Sequence, residues 1–299
     1  MNYWSDWSFD PGIVAAILVA AALYWRGRRR LNDVRRGAPL NRRRIASFYA
    51  GLVVVIIALE SPIDSLGAVL FSFHMIQHLL LIMIAAPLIL LGDPGVTIVR
   101  GIPLSLRRAV LRKGAKQGWL HGLGALFGRV NRPIPAAAVF LVDLYLWHWN
   151  FLWNLTLRND MVHAVEHMCF LFTALLLWTQ VIDQRALHPR LTYFQRAIFT
   201  ILVGAAGNLL AMYFVFSTVP VYSYARELHR PFGMTALGDQ QIAGATMWVP
   251  VLLLFSGAFA VFMYRGLAED ANQGEAVSAG APQYSLLPKQ VESMGGRHG

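Results

Sequence analysis

The sequence predicts an all-α polytopic membrane protein, a bundle of seven transmembrane helices with the N-terminus outside and the C-terminus cytoplasmic. Three observations predict it. Of 299 residues, 56% are apolar and only 14% charged, and mean hydropathy is +0.48, the balance of a chain solvated by lipid. The apolar residues gather into seven runs, 11–25, 45–60, 66–91, 134–153, 161–182, 194–217 and 241–264. The basic residues are sorted between alternate connections: 23 of 26 fall on one side, leaving Arg158, Arg226 and Arg230 on the other. The positive-inside rule makes the crowded side cytoplasmic. Topology and anionic headgroups of the lipid bilayer then account for the net charge of +10, and no nucleic-acid partner is expected.

In chain order, the first run follows MNYWSDWSFDP, which lacks a basic n-region, so it is expected to remain as a helix rather than be cleaved as a signal. The first two runs are short and should extend into flanks whose long side chains snorkel to the interface. RGRRRLNDVRRGAPLNRRR joins them, with nine arginines and one aspartate. The third run holds FSFHMIQHLLLIMIAAPLILLG, Phe71 to Gly92. The loop 93–132 adds six arginines and two lysines, and its LSLRRAVLRKGAKQGWLHGLGALF suits an interfacial amphipathic helix. The fourth run closes on LWHWN with His148, the fifth opens on MVHAVEH, and Asp239 to Gln241 open the seventh. Residues 1–265 thus form the membrane domain. Residues 266–299, rich in Gly, Ala, Ser and Gln, read as a disordered cytoplasmic tail. Cys169 is the single cysteine, so neither an intramolecular disulfide nor a C-x-x-C motif exists.

Polar residues inside these runs carry the functional signal. His74, Gln77 and His78 share one helical face, and His163, Glu166 and His167 repeat the spacing. Ionisable groups in a span are costly and read by default as functional, although a single histidine more often bonds a neighbouring helix as glue. Repetition and segregation favour function. Given the topology, five of the nine histidines fall in the outer halves of helices, with Glu60, Asp64, Asp143 and Asp239 nearby. Imidazoles at i and i+4 beside a carboxylate have the spacing of a metal site, and neutral imidazole suits copper, zinc or iron. The neighbouring Glu166 can ligate or fix a tautomer. Met75, Met161, Met168, Met212, Met234 and Met247 could add thioethers that favour Cu(I), though packing explains most methionines.

The expectation is one metal held by His74, His78, His163 and His167, with His148 or Asp239 completing a site around one pair if the pairs differ in depth. A helix starting near Leu66 would set His74 and His78 roughly a turn or two deeper than the other pair; a later start would close the gap. HAVEH also matches H-x-x-E-H, two zinc ligands and a glutamate base, so a membrane-embedded zinc metallohydrolase competes. Haem with one axial histidine from each helix is a further alternative. No P-loop, GxGxxG or GxSxG element is present.

At these residues the chain resembles the CtaG family of cytochrome c oxidase assembly factors, associated with caa-type oxidases. The resemblance rests on FHMIQHLLLIMIAAPLILLGDP, LWHWNFLWNLTLRNDMVHAVEHMCFLFTALLLWTQVID and GDQQIAGATMWVP, within residues 45–265. The loop 93–132 and the tail lie outside it. It implies a multi-pass protein of the bacterial inner (plasma) membrane, not an enzyme, that matures haem–copper oxidase, with cytochrome c oxidase subunits as partners and copper as cargo. By motif match it carries over His74, His78, His148, His163, His167 and Asp239 as the site. A copper transport or resistance protein would use the same architecture.

Overall fold

The computed structural model describes residues 5–34, 41–184, 187–222 and 231–278, and all regular structure among them is helical. Among the described residues four helices are long and apolar enough to cross a membrane: Phe71–Leu91, Asp160–Trp178, Tyr193–Phe216 and Ala236–Gly274. Helices α1 (Pro11–Val34) and α2 (Arg42–Glu60) form at the first two expected runs, with arginines at their ends. Helix α9 (Pro133–Trp147) is apolar but only 15 residues long.

The helix Phe71–Leu91 is the centre of the bundle: 56% of its apolar stretch is buried, against 33%, 33% and 22% for the other three. It consists of α4 (Phe71–Leu79), a π-helical turn (Leu80–Ala85) and α5 (Ala86–Leu91). Helix α2 packs on the π turn and α5, and α11 (Asp160–Trp178) packs on the same stretch. Helix α13 (Ala236–Ser278) lies against α4, and α12 (Tyr193–Phe216) runs along α13 and touches α9. Two apolar cores meet at the π turn, which sends Leu81 and Ala85 into the core shared with α1 and α2 and Ile82 toward the larger one.

The π turn has an identifiable partner. The N–H of Ala86 bonds the carbonyl of Leu81 rather than that of Ile82, so the Ile82 carbonyl is released from the helical ladder. Trp178, the last residue of α11, donates its indole N–H to that carbonyl at 2.8 Å. Without it the carbonyl would be buried and unmatched, costing about 1–3 kcal/mol. Trp178→Phe is therefore expected to lower stability by about that amount, read as a reduced unfolding midpoint in detergent.

Several boundaries differ from the sequence reading. The third run does not begin at Leu66. Pro62 cannot donate to continue α2, and Ser61 before it is extended. A short helix α3 (Pro62–Gly67) follows, capped by the Ser61 side chain on the Ile63 N–H, and α4 starts afresh at Phe71. The fourth run breaks at His148. Its Nδ1–H donates to the Leu144 carbonyl at 2.7 Å, and the Tyr222 hydroxyl donates to the His148 carbonyl at 2.6 Å. These bonds satisfy backbone groups at the helix end, and α10 (Asn150–Thr156) begins in a new direction. The fifth helix ends at Trp178 rather than at 182.

The loop 93–132 folds into three helices rather than one. Helix α6 (Pro94–Gly101) lies against α1 so closely that a Cβ on Gly27 would fall 1.7 Å from the Thr97 carbonyl oxygen, and one on Gly101 1.9 Å from that of Leu23. The amphipathic segment divides at Gly118, whose φ of 72° suits glycine, into α7 (Leu104–Gln117) and α8 (Trp119–Val130). The tail boundary at 265 also moves. Helix α13 continues to Ser278 through AEDANQGEA, rich in strong helix formers. Residues 279–299 lie outside the described residues, as do Arg226 and Arg230 of the sparsely basic side.

Candidate metal centre

Helix starts decide the site. Helix α11 begins at Asp160, with the Asn159 side chain accepting from the Met161 and Val162 N–H groups. Helix α4 begins at Phe71. Each histidine pair therefore occupies the fourth and eighth positions of its helix, and the expected difference in depth disappears. Across the two helices the rings pair in register, His74 with His163 at 4.9 Å between centroids and His78 with His167 at 5.4 Å.

His74, His163, Glu166 and His167 each bring one ligand atom into a group whose members all lie within 4.8 Å of one another. Glu166 reaches between the pairs from α11. Its Oε2 is 3.4 Å from His74 Nε2 and its Oε1 3.6 Å from His78 Nε2. Both separations exceed the 2.7–2.9 Å of a charge-assisted hydrogen bond. They match donors arranged around one ion: metal–ligand bonds of 2.0–2.1 Å at a tetrahedral angle set neighbouring ligands ~3.3 Å apart. Glu166 is wholly buried, and among the described residues neither of its oxygens, nor His163 Nε2, His167 Nε2 or either ring nitrogen of His78, has a hydrogen-bond partner. Buried polar atoms are rarely left so. Several of them facing one point is the condition a small cation relieves, and three imidazoles with a carboxylate suit zinc, copper or iron.

Aromatic rings wall the group in. Trp153 of α10 stands 4.5 Å from the His74 ring, and Phe170 of α11 stands 4.4 Å from the His78 ring. Phe71 packs edge-on against Trp153, Phe214 and Tyr222. His163 is the least buried of the four ligating residues.

The remaining expected residues sit elsewhere. His148 lies beside the cluster, 6.0 Å from the His78 ring, but its nitrogens face Leu144 and Met75 rather than Glu166. Asp239 is a helix cap. Its carboxylate accepts from the Phe71 N–H at 2.8 Å, the Ser72 N–H at 3.1 Å and the Ser72 hydroxyl at 2.6 Å. Helix α4 has no side-chain cap of its own, and α13 supplies one at its positive end. Gln77, spaced like Glu166, points the other way and donates to Asp64 at 2.7 Å and to the Ala58 carbonyl at 3.0 Å. Burial pushes the Asp64 carboxyl up to about 6, against the lowering effect of Gln77. Asp143 ties α9 to α11 by accepting from Thr173 and Trp147. Glu60 holds the N-terminal segment, accepting from the Ser8 hydroxyl and the Asp10 N–H.

A family model described as cytochrome c oxidase caa3 assembly factor, Caa3_CtaG, matches residues 22–269. The chain belongs to the Caa3_CtaG family. The matched range spans the loop 93–132 and is wider than the 45–265 expected from the motifs. Among curated proteins the chain is 27% identical to an uncharacterised protein of Mycobacterium bovis over 83% of its length, and 23% identical to one of Mycobacterium leprae over 85%. It spans 38% and 39% of those relatives, well under half of either. No solved structure matches.

Two contributions escape the sequence. Trp153 and Phe170 line the cluster from positions that look like ordinary apolar residues, and the aromatic density around LWHWNFLW was the only signal. The opposite orientations of Gln77 and Glu166 come from neighbours distant in sequence.

Proposed function

We propose that this oxidase assembly factor receives copper at His74, His163, Glu166 and His167 and passes it toward a cytochrome c oxidase subunit. One observation carries this reading: three imidazoles and a carboxylate converge within 4.8 Å in a buried pocket where several of their ligand atoms lack hydrogen bonds. The imidazole rings pack against one another, which suits one small ion better than a planar haem. His78 flanks the group as a fifth donor. Seven passes through the bacterial plasma membrane, N-terminus outside, would open the site toward the compartment where the oxidase acquires copper.

The test compares the copper content of oxidase in membranes of cells producing this chain or its His163→Ala variant in place of the native gene. Copper-deficient oxidase at normal cellular copper supports delivery. A fall in total cellular copper would favour an importer or resistance protein. Oxidase with full copper in the variant would remove the role.

Topology is checked separately. Reporter fusions at Asp33 and Gln117 are expected to behave as cytoplasmic and one at Asn159 as external, following the division of basic residues. A cytoplasmic signal at Asn159 would turn the site to the wrong side.

The zinc metallohydrolase reading uses the same atoms differently, with Glu166 as base rather than ligand. Glu166→Gln is expected to weaken metal binding by at least the roughly 10–100-fold that losing a carboxylate hydrogen-bonded behind a ligand costs, and to abolish no hydrolysis. Peptide or lipid hydrolysis that disappears in this variant would reverse the assignment.

A further inference from the structure

A second pair of lone-pair donors lies one helical face away from the cluster. The Leu144 carbonyl can only accept, so the 2.7 Å bond to His148 Nδ1 places the proton on Nδ1. In the neutral ring, Nε2 then carries a bare lone pair. That nitrogen faces Met75 Sδ at 3.5 Å, and a thioether has no proton to give. Two acceptors thus confront each other in a site where Met75 is fully buried and His148 is 7% exposed. A doubly protonated His148 would relieve the pairing only by placing a buried cation among apolar side chains, which is costly.

The separation fits a metal better. A nitrogen at ~2.0 Å and a sulfur at ~2.3 Å from one ion, at the tetrahedral angle, stand ~3.5 Å apart. Met75 and His148 line a cavity together with His78, Met83 and Met247. Its walls are otherwise mainly apolar, from Phe140, Leu144 and Val251 among others. Imidazole with thioether in an apolar shell is a soft donor set, and it favours a monovalent d10 ion.

We propose that Met75 Sδ and His148 Nε2 form the core of a second metal station for a soft monovalent cation of the Cu(I) class, completed from His78, Met83 and Met247. His78 belongs to both stations. Its Nε2 lies 3.6 Å from Glu166, its ring is 6.0 Å from that of His148, and it lines the cavity itself. Among the described residues its two nitrogens have no hydrogen-bond partner, so rotation of this one ring can hand a monovalent ion from one donor set to the other with no change of oxidation state. The inference rests on the proposed copper delivery for the direction of transfer, but the station stands on its own geometry.

Silver(I) is the probe, because it is soft, monovalent and redox-inert. Full-length protein in detergent, in a Cys169→Ser background that removes the lone thiol, is loaded with silver and studied by X-ray absorption at the silver edge. The expected result is a coordination shell containing both sulfur and nitrogen. Met75→Leu should lose sulfur scattering and one equivalent of silver, and His148→Gln should lose the nitrogen contribution. Met247→Leu, across the cavity on α13, serves as a second sulfur deletion if Met75→Leu does not fold. Cobalt(II) binding reports the first site in parallel and is expected to depend on His163 but not on Met75. Silver without sulfur neighbours, or unchanged silver in both methionine variants, overturns the station even when cobalt binds. Cobalt binding that ignores His163, with silver still held by sulfur, overturns the first site and leaves the station.

Discussion

Purified protein carrying His163→Ala or His74→Ala is expected to lose stoichiometric metal, whereas wild type grown with copper should retain it. The two residues reach the site from different helices, His74 from α4 and His163 from α11, and each supplies one of only four ligand atoms within the 4.8 Å group. Losing either leaves two imidazoles and a carboxylate. Because the pocket is buried, water cannot easily replace a missing imidazole without opening the aromatic wall of Trp153 and Phe170. Elemental analysis of wild type and both variants reads the outcome directly. Unfolding midpoints measured without metal separate ligand loss from misfolding: His163 Nε2 has no hydrogen-bond partner among the described residues, so deleting that imidazole should cost little stability in the apo protein. Metal retained in both variants would return the histidines to the role of interhelical glue.

Asp239→Ala should give the largest loss of stability that does not touch a ligand. The carboxylate accepts three hydrogen bonds at the start of α4, two of them from backbone N–H groups with no intrahelical partner. Removing a cap typically costs ~1 kcal/mol, and hydrogen bonds to a charged group contribute ~1.5–3 kcal/mol. Asp239 is completely buried, so the stranded amides would not be rehydrated, and a total of about 3 kcal/mol is expected. Asp239→Asn, which keeps an acceptor oxygen, should lose less than half of that. The unfolding midpoint of each variant checks the order. His74 sits one turn beyond the capped residues, so fraying of α4 in Asp239→Ala should also lower metal occupancy. A stability equal to wild type would mean that another acceptor replaces the cap.

The family resemblance places Asp239 with the histidines, and the geometry explains why a capping residue can travel with a metal site. It fixes the helix start, and the helix start fixes the depth of His74 and His78. The double H-x-x-[QE]-H pattern was fully legible because helical spacing alone puts i and i+4 on one face. Gln77 and Glu166 occupy equivalent places in that pattern yet face opposite ways. Nothing local distinguishes them: Gln77 turns toward Asp64 and the Ala58 carbonyl, partners supplied by α2 and α3.

Composition, hydropathy and spacing determined the helical class, the two histidine pairs and the helix stop at Ser61–Pro62, because each depends on neighbours within a turn or two along the chain. Tertiary structure alone decided the rest. The break at His148 needs the Tyr222 hydroxyl, the start of α4 needs a carboxylate from α13, and the π turn is matched by the Trp178 indole. In each case a backbone group freed at a helix irregularity is buried and must find a hydrogen-bond partner, and that partner lies dozens of residues away or more, where no local pattern can announce it.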